Sequence, residues 1–375
     1  MRKTSSPLNL GFIGGALDSA IGETHKIAAQ MDSRWCLTTG CFSTNQEMNR
    51  HTGEQWGIDE GRVYDNWQDL IIEQKSNLDA LTILSPTPTH AEIVSFALKE
   101  GLPVICEKAL ASSVAEAELI HESLNAHSGF LAVTYNYTGY PMLRELKQKI
   151  RNDELGKLNQ VIIEMPQEGF LKLNDESQKP VPQEWRLSDG SIPTLALDLG
   201  VHVHHIIKFL TNETAQQVTA THNTFGFFEE IIDNTLCIAK YTNNLDCQIW
   251  YGKSALGNSN GLRVRIFGEK GSAEWYQQQP ENLLFNDKTG NQFTLNRASP
   301  GITLANQKRY NRFKVGHPAG FIEAFANHYY DIADSLEKKI IQPNSWVFGI
   351  DDAIEGLHFL EAVTESANNL SWQSI

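Results

Sequence analysis

Hydrophobic positions in the first third of the chain form short apolar runs separated by stretches of helical periodicity. The runs predict strands at Leu8–Ile13, Trp35–Phe42, Leu78–Leu84, Val104–Cys106 and Leu131–Thr134. Apolar residues at helical spacing predict the intervening helices at Gln46–Trp56, at Trp67–Gln74, from near His90 to Glu100, and from about Ser113 to His127. Since parallel strands are joined by helical crossovers, this alternation predicts a doubly wound parallel sheet in a first domain, residues 1–137.

Beyond Pro141 and a helix that reaches about Ile150, the pattern changes to two-residue alternation. It predicts strands at Gln160–Met165, Asn234–Tyr241, Leu245–Trp250, Leu262–Phe267 and Ala273–Tyr276. Successive strands without helices between them are typical of antiparallel sheets. We therefore expect residues 138–375 to form an α+β domain with a large, mostly antiparallel sheet. The polar stretches Asn174–Pro182 and Asn286–Asn311 are predicted surface loops.

A glycine-containing turn follows the first predicted strand and precedes a helical pattern that includes His25. Strand, glycine turn and helix form the opening of a dinucleotide-binding unit, in which backbone N–H groups approach a pyrophosphate. The spacing departs from G-x-G-x-x-G because Ala16 stands at the second glycine position, and an ordinary strand-to-helix turn is the alternative interpretation. The candidate cofactor-binding residues of this turn are Gly14, Gly15, Ala16, Ser19, Ala20 and Ile21.

Further cofactor-binding candidates follow the second and third predicted strands, because ligands of open parallel sheets bind beyond the carboxyl ends of the strands. Ser43 follows the second strand, where an adenosine ribose would lie. That strand end carries neither the acidic residue that favours NAD nor an arginine that favours NADP, so the cofactor is predicted only as NAD or NADP. After the third strand the candidates are Ser85, Pro86 and His90, in a loop that Pro86 and Pro88 are expected to keep extended.

Lys108 is the first candidate for chemistry. It follows the short strand Val104–Cys106 together with Glu107, and a helix begins at Ser112 or Ser113. Side chains at this strand end face a ligand rather than a core, so Glu107 and Lys108 are also cofactor-binding candidates. The alternative interpretation is a solvated ion pair, since most lysines and glutamates are exposed.

A second candidate for chemistry is the helical pattern from Thr194 to Ile207. Asp198 and His202 are four residues apart, which places a carboxylate and an imidazole on one face of an α-helix. A carboxylate beside an imidazole fixes its tautomer and raises its basicity, which suits a general base. A satisfied core histidine is the alternative. A metal site at His202, His204 and His205 is not expected, because adjacent helical residues diverge around the axis.

The composition of the chain limits the partners and the cellular compartment that we expect for this protein. The chain has 375 residues, 41% of them hydrophobic and 20% charged, as in ordinary globular proteins. Its net charge of −14 argues against nucleic acid as a partner. Five cysteines without a CxxC pair favour reduced thiols in a cytoplasm. No apolar stretch reaches membrane-spanning length, so no membrane partner is expected.

Taken together, these motifs resemble the Gfo/Idh/MocA oxidoreductase family over nearly the whole chain. The resemblance rests on the Gly14–His25 turn, on Glu107-Lys108, on Asp198 and His202, and on the stretch Gly316–Ala326. Ala109 replaces the proline of the family's Glu-Lys-Pro triplet. The resemblance implies an amino-terminal Rossmann domain, a carboxyl-terminal domain whose sheet forms one wall of the substrate cleft, and a homo-oligomer, either a dimer or a tetramer.

The resemblance also implies an NAD(P)-dependent dehydrogenase or reductase that acts on a hydroxyl-bearing carbon of a sugar, cyclitol or sugar derivative. Our hypothesis assigns His202 as general base, Lys108 as the donor that polarises the reacting oxygen, and Asp198 as the orienting group; Lys108 and His202 could exchange roles. A sensor that binds nucleotide without turnover, and a glycosidase that recycles its NAD internally, are the alternatives. The substrate-binding candidates, in loops flanking the cleft, are Tyr137, Gln167, Trp185, Arg186 and His317.

Overall fold

The computed structural model describes residues 6–338 and 346–375 and divides the chain into two compact units. The first comprises Met1–Gly139 and Phe321–Ile354, and the second comprises Tyr140–Gly320 and Glu355–Ile375. The sequence analysis placed one boundary after residue 137, whereas this division returns a late segment to the first unit. Parts of the two predicted domains, at residues 1–5 and 339–345, lie outside the described residues.

The first unit alternates strands and helices through its first 139 residues. Its strands are β1 (Leu8–Gly14), β2 (Trp35–Cys41), β3 (Ala80–Leu84), β4 (Val104–Glu107) and β5 (Leu131–Thr134). Its helices in this part are α1 (Gly22–Gln30), α2 (Gln46–Gln55), α3 (Trp67–Gln74), α4 (His90–Lys99) and α5 (Val114–His127).

Among the described residues these strands form one parallel sheet with the order β2-β1-β3-β4-β5. The predicted parallel sheet is therefore confirmed. The strand order reverses between β1 and β3, and ligands of such sheets bind in the crevice at that point. Every residue of β3 and β4 is buried, which explains why both strands have continuous apolar runs rather than alternating ones.

A late helix, α8 (Phe321–Glu337), packs into the core of the first unit. Its residues Phe325, Tyr329 and Ala333 belong to the same buried cluster as Leu10 of β1 and Trp35 of β2. Sequence proximity placed this helix in the second domain, but its apolar face is buried by the parallel sheet. The spacing of apolar residues predicts that a helix has an apolar face, but it does not predict which distant segment that face packs against.

The second unit contains the remaining strands and three further helices, of which the last begins in the first unit. The helices are α6 (Pro141–Arg151), α7 (Val201–Thr211) and α9 (Ile350–Asn369), the last of which crosses from one unit to the other. The strands are β6 (Leu158–Pro166), β7 (Ala215–Asn223), β8 (Asn234–Tyr241), β9 (Leu245–Gly252), β10 (Arg263–Gly268), β11 (Gly271–Tyr276), β12 (Leu283–Asp287), β13 (Gln292–Leu295) and β14 (Gln373–Ser374).

In the described part of the chain these strands form one sheet, with the order β13-β12-β11-β10-β6-β9-β8-β7-β14. β6 and β9 pair in parallel and the other neighbours pair antiparallel, which confirms the mostly antiparallel sheet. The sequence analysis missed β7, which contains polar residues on both faces. The predicted loop Asn286–Asn311 was wrong in its first part, because β12 and β13 pair as a hairpin across Asp287–Asn291.

A smaller difference concerns the loop after β3. The loop after β3 was expected to be extended, but Thr87–Thr89 forms a 3₁₀ turn that leads directly into α4. Proline at the first positions of a helical turn is compatible with it, since its fixed φ suits a helix start.

Among the described helices, none combines the length and apolar composition that crossing a bilayer requires. The dimer or tetramer and the cytoplasmic location stay predictions.

Candidate active site

The turn after β1 brings helix α1 unusually close to the strand. Gly14 and Gly15 have φ values of 81° and 77°, in the region that side chains disfavour. A Cβ on Gly14 would lie 2.6 Å from the backbone nitrogen of Ser85, and a Cβ on Gly22 would lie 1.8 Å from the carbonyl oxygen of Gly15. The glycines are therefore required for close packing of β1, β3 and α1 at the point where the strand order reverses.

The other residues of this turn leave the start of α1 open. Ala16 is buried in the core of the first unit, so its methyl group packs inward. Ser19 is half-buried and its hydroxyl accepts a bond from the backbone of Ile21, while Ala20 is exposed. Ile21 is the N-cap of α1 and has no side-chain oxygen to cap the first-turn N–H groups. The turn therefore fits a pyrophosphate, which those N–H groups and the helix dipole would hold.

Ser43 lies between β2 and α2, at the predicted ribose end of the cofactor site. Its hydroxyl accepts a bond from the backbone nitrogen of Asn45, at 3.1 Å, and retains its own proton for donation. Asn45 caps α2. The nearby cation Arg50 is ion-paired with Asp65 at 3.3 Å, so part of its charge is compensated.

Ser85 and Pro86 lie in the loop after β3, and His90 is the first residue of α4. The Ser85 hydroxyl accepts from Thr89, and the Pro86 carbonyl accepts from the Thr89 backbone. His90 is buried, with Nε2 at 2.8 Å from the Ser85 carbonyl oxygen and Nδ1 at 2.8 Å from that of Ala109. Burial lowers the pKa of His90, and its bonds with these carbonyls oppose that shift. The ring thus joins the loop after β3 to the loop after β4.

Glu107 is the last residue of β4, and its carboxylate is buried among hydrogen-bond donors. Its Oε1 accepts from Nε2 of His25 at 2.9 Å and from the hydroxyl of Thr134 on neighbouring β5. Burial by itself raises the pKa of Glu107, but the bond and charge of His25, the charge of Lys108 and the Thr134 bond outweigh it and lower the pKa to about 2. A negative charge is therefore held inside the protein directly beneath the sheet edge.

Lys108 is half-buried between two buried neighbours, Glu107 and Ala109. The Lys108–Ala109 peptide bond is cis. Tyr137, predicted as a substrate residue, lies in the same unit in a 3₁₀ turn after β5, and its ring is 6.1 Å from that of Phe321. Lys108 thus stands at the carboxyl edge of the parallel sheet, in the position that the strand pattern predicted.

The second predicted group of catalytic residues, Asp198 and His202, belongs to the second unit. Asp198 lies in a π-helical turn, Ala196–Gly200, that runs directly into α7. The continuous α-helix expected from the spacing was therefore wrong at this point, and the π turn changes the angle between the two side chains. Such turns often occur at functional sites. His202 is buried in the first turn of α7.

Two cations contact the same carboxylate oxygen of Asp198. Lys253 Nζ lies 2.5 Å from Oδ2, and Arg186 Nη1 lies 2.7 Å from it. Lys253 is buried beside the ring of Phe170, whereas Arg186 stacks on the ring of Trp185, 4.4 Å from its centroid. The arrangement fixes the position of Asp198 and compensates its charge, and Trp185 supports Arg186.

Sequence analysis missed Lys253, although a signal was available. Lys253 directly follows β9, just as Lys108 follows β4, but the predicted strand stopped at Trp250. β6 and β9 are parallel neighbours with Pro166 opposite Gly252, so Gln167 and Lys253 emerge at the same edge of the sheet. The backbone nitrogen of Gln167 donates to the Gly252 carbonyl at 2.7 Å.

The remaining predicted residues are held by contacts within the second unit. The Gln167 amide donates to Asn260, and the carbonyl of His317 accepts from buried Arg297 at 2.8 Å. The ring of His317 packs against Phe313, with 4.7 Å between centroids. The structure brings Arg186 to Asp198, while these contacts of Gln167 and His317 serve to anchor their loops.

The histidines that follow His202 are core residues. His204 stacks on Phe359 of α9, with 4.7 Å between ring centroids, and burial lowers its pKa to about 3. His205 is likewise buried. Within residues 6–338 and 346–375, no group of three or more His, Cys, Asp or Glu side chains could hold a metal ion.

Two models of one protein family match this chain. The model of the oxidoreductase family's NAD-binding Rossmann fold matches residues 8–135, and the model of the GFO/IDH/MocA C-terminal domain matches residues 143–274. Together they span well over half of the sequence. The two matches meet close to the point where the structure passes from the first unit to the second.

Individual relatives agree with the family models. An uncharacterised oxidoreductase of Bacillus subtilis, YfiI, is 28% identical and matches over 98% of this chain and 96% of its own length. Levoglucosan dehydrogenase of Pseudarthrobacter phenanthrenivorans is 24% identical over 74% of this chain and 75% of its own. The crystal structure of an inositol dehydrogenase homologue from Azotobacter vinelandii, complexed with NADH and myo-inositol, has a TM-score of 0.88 at 24% identity and covers 99% of this chain and 98% of its own. At that identity the structural likeness concerns the fold.

Proposed function

This chain belongs to the GFO/IDH/MocA family of NAD-binding oxidoreductases, and from that premise we propose that it transfers a hydride between nicotinamide and a hydroxyl-bearing carbon of a sugar, cyclitol or sugar derivative. The observation that carries the proposal is Lys108, held at the carboxyl edge of the parallel sheet beside a buried carboxylate. The names of the relatives support the substrate class, since they include a levoglucosan dehydrogenase and a homologue solved with myo-inositol.

Lys108 supplies positive charge to the reacting oxygen. The reacting oxygen gains carbonyl character when the substrate is oxidised and negative charge when the substrate is reduced. In both directions a positioned cation stabilises the charge on this oxygen in the transition state. The charge of Lys108 contributes to the lowered pKa of the neighbouring Glu107. When bound, the nicotinamide ring supplies the hydride acceptor or donor; the protein supplies the charge, the geometry and the proton acceptor.

His202 is assigned as the general base that takes the hydroxyl proton, and Asp198 as the group that orients the substrate. Oxidation releases one hydride to the cofactor and one proton, so a base is required to complete the balance. Asp198 suits orientation rather than proton transfer, because Arg186 and Lys253 already bind one of its oxygens. Orientation of a polyol hydroxyl requires an acceptor oxygen, which a carboxylate such as that of Asp198 supplies.

We further propose NAD rather than NADP as the cofactor. Asn45, whose backbone bonds to Ser43, lines a pocket together with Glu47, Glu54 and Glu60. Arg50 lines the same pocket and is paired with Asp65. A 2′-phosphate placed there would meet net negative charge, whereas a ribose hydroxyl can bond to Ser43.

The proposal is tested by incubating the protein with NAD or NADP and a panel of sugars, cyclitols and sugar derivatives, while following the absorbance of the reduced nicotinamide. We expect a substrate-dependent rise with NAD that Lys108→Met reduces by roughly a thousandfold, since an electrostatic group of this kind contributes about 10²–10³. Lys75→Met, which removes an exposed lysine paired with Glu100, is the matched control and should retain full activity.

Two results would contradict the proposal. Ordinary turnover by Lys108→Met would remove Lys108 from the chemistry. Binding of NAD with no rise for any substrate would favour a nucleotide-binding sensor, and sugar hydrolysis without net NADH would favour a glycosidase with an internally recycled cofactor.

A further inference from the structure

Buried histidine rings hold both chain neighbours of Lys108. The residue before it, Glu107, is 8% exposed and accepts a bond from His25. The residue after it, Ala109, is 2% exposed, and its carbonyl faces His90. The lysine backbone is therefore fixed from both sides, while its half-buried side chain extends from this fixed base.

The protons around His25 can be assigned from its partners. Glu107 is ionised and can only accept, so Nε2 of His25 carries the proton of their 2.9 Å bond. Nδ1 lies 2.8 Å from the hydroxyl of Tyr329, which in turn lies 3.3 Å from the hydroxyl of Thr82. Both ring nitrogens are thus used inside the protein, and the ring is 0% exposed, so His25 acts through Glu107 rather than on a ligand.

His90 is used in the same way on the other side. Its Nδ1 faces the carbonyl of Ala109 and its Nε2 faces the carbonyl of Ser85, each at 2.8 Å. The ring is 1% exposed. The two histidines therefore use different ring nitrogens towards Lys108. His25 contacts the preceding residue, Glu107, with Nε2, and His90 contacts the following residue, Ala109, with Nδ1.

We propose that His25 and His90 are positioning residues for Lys108, and that they set the place from which its ammonium group reaches the substrate oxygen. The inference rests on the proposed function, because it gives Lys108 the role described there. A lysine side chain has four rotatable carbons, so a small rotation at its base moves the charge by more than an ångström. A misplacement of that size costs about a hundredfold in rate.

The geometry allows a test with two conservative substitutions at each histidine. The amide nitrogen of asparagine lies where Nδ1 of histidine lies, and that of glutamine lies where Nε2 lies. His25→Gln therefore keeps the donor to Glu107, and His25→Asn loses it. At His90 the order is reversed, because His90→Asn places an amide donor towards the Ala109 carbonyl, whereas His90→Gln places one towards the Ser85 carbonyl.

We expect the variant that keeps the donor to retain kcat within about threefold of the wild type. In the variant without the donor, kcat should fall at least about tenfold. KM for the sugar and Kd for NADH should change little in both. The ranking should be Gln above Asn at position 25 and Asn above Gln at position 90. A role confined to filling space would give the same ranking at both positions. The control is exposed His127, where both substitutions should leave kcat unchanged.

A second measurement combines each damaging variant with Lys108→Met. If the histidines act through Lys108, they should cost less than about twofold once the lysine is absent. Full additivity, or equal rankings at the two positions, would overturn the inference. Where a histidine variant does not fold, Thr134→Val removes the other donor to Glu107, and an unchanged kcat in that variant would also overturn it.

The same series distinguishes this inference from the proposed function. Loss of turnover in Lys108→Met, with no effect of the histidine variants, would refute the positioning role and leave the function intact. Ordinary turnover in Lys108→Met would refute the role of the lysine itself.

Discussion

Each unit places a carboxylate next to a predicted catalytic group, and the two units hold these carboxylates in different ways. Glu107 ends a strand and is bound by an imidazole and a hydroxyl, with its side chain 11% exposed. Asp198 lies in a π turn and is bound by the cations Lys253 and Arg186, with its side chain 14% exposed. The exposures are nearly equal, so the difference lies in the partners.

The comparison teaches that similar burial can serve different purposes. Glu107 is enclosed by residues of the sheet and of α1, and it fixes the backbone that leads into Lys108. Asp198 is held by long cationic side chains from a loop and from the end of β9, and these can rearrange around a substrate. We therefore expect substitutions at Glu107 to affect stability, and those around Asp198 to affect turnover.

The largest expected effect on stability is that of Glu107→Ala. It leaves two buried donors, on His25 and Thr134, without their acceptor, and should lower the free energy of unfolding by about 3 kcal/mol. Asp198→Ala should cost about 1–2 kcal/mol, because Arg186 can turn its charge towards water and buried Lys253 keeps its contact with the ring of Phe170. Urea unfolding of both variants measures the difference, with Asp246→Ala at an exposed pair as control. Equal losses for the two would contradict the comparison.

At low pH, Glu107 should no longer contribute to the free energy of unfolding. Its pKa in the folded state, about 2, lies below its ordinary value of 4.5. The stability it contributes is thus fully present above about pH 4.5 and is lost as the pH falls towards 2. The free energies of unfolding of the wild type and of Glu107→Gln can be compared at about pH 6 and at about pH 3. The difference between the two proteins should be smaller at pH 3 than at pH 6, by roughly 1–2 kcal/mol. A difference that stays constant between the two pH values would show that folding does not lower the pKa of Glu107.

An intermediate effect is expected from Lys253→Met, and it should appear in turnover. Methionine fills the buried space of the lysine stem but removes one of the two cations that contact Oδ2 of Asp198, so the carboxylate is held less firmly in its direction. We expect kcat to fall about tenfold, with a stability change below about 1 kcal/mol. Lys240→Met, at an exposed pair with Asp246, is the matched control. An unaltered kcat would show that Arg186 suffices.

The smallest effect is expected from Ser113→Ala. Ser113 is the N-cap of α5, and its hydroxyl accepts from the backbone of Glu116. Its loss should lower the unfolding free energy by about 1 kcal/mol without a change in kcat. A large fall in kcat would mean that the helix cap, rather than the histidines and Glu107, controls the position of Lys108.

Much of the first unit could be predicted from the sequence. The apolar runs located its strands, and the rule that ligands bind beyond carboxyl strand ends singled out Lys108. The prediction of Asp198 and His202 also began from sequence, through their spacing of four. Their geometry could not be predicted, because a π turn is a local insertion that leaves no distinct pattern of apolar residues.

What the sequence determined by itself were the local features: strand and helix positions, the glycine turn, and the residue types at the strand ends. These follow from periodicity and steric rules that operate over a few residues. The tertiary structure was needed to show that α8 packs in the first unit and that Lys253 reaches Asp198 across 55 residues. It was also needed to show that His25 and His90 contact the residues on either side of Lys108. Such contacts depend on sheet register and on packing between distant segments, and no local pattern encodes them.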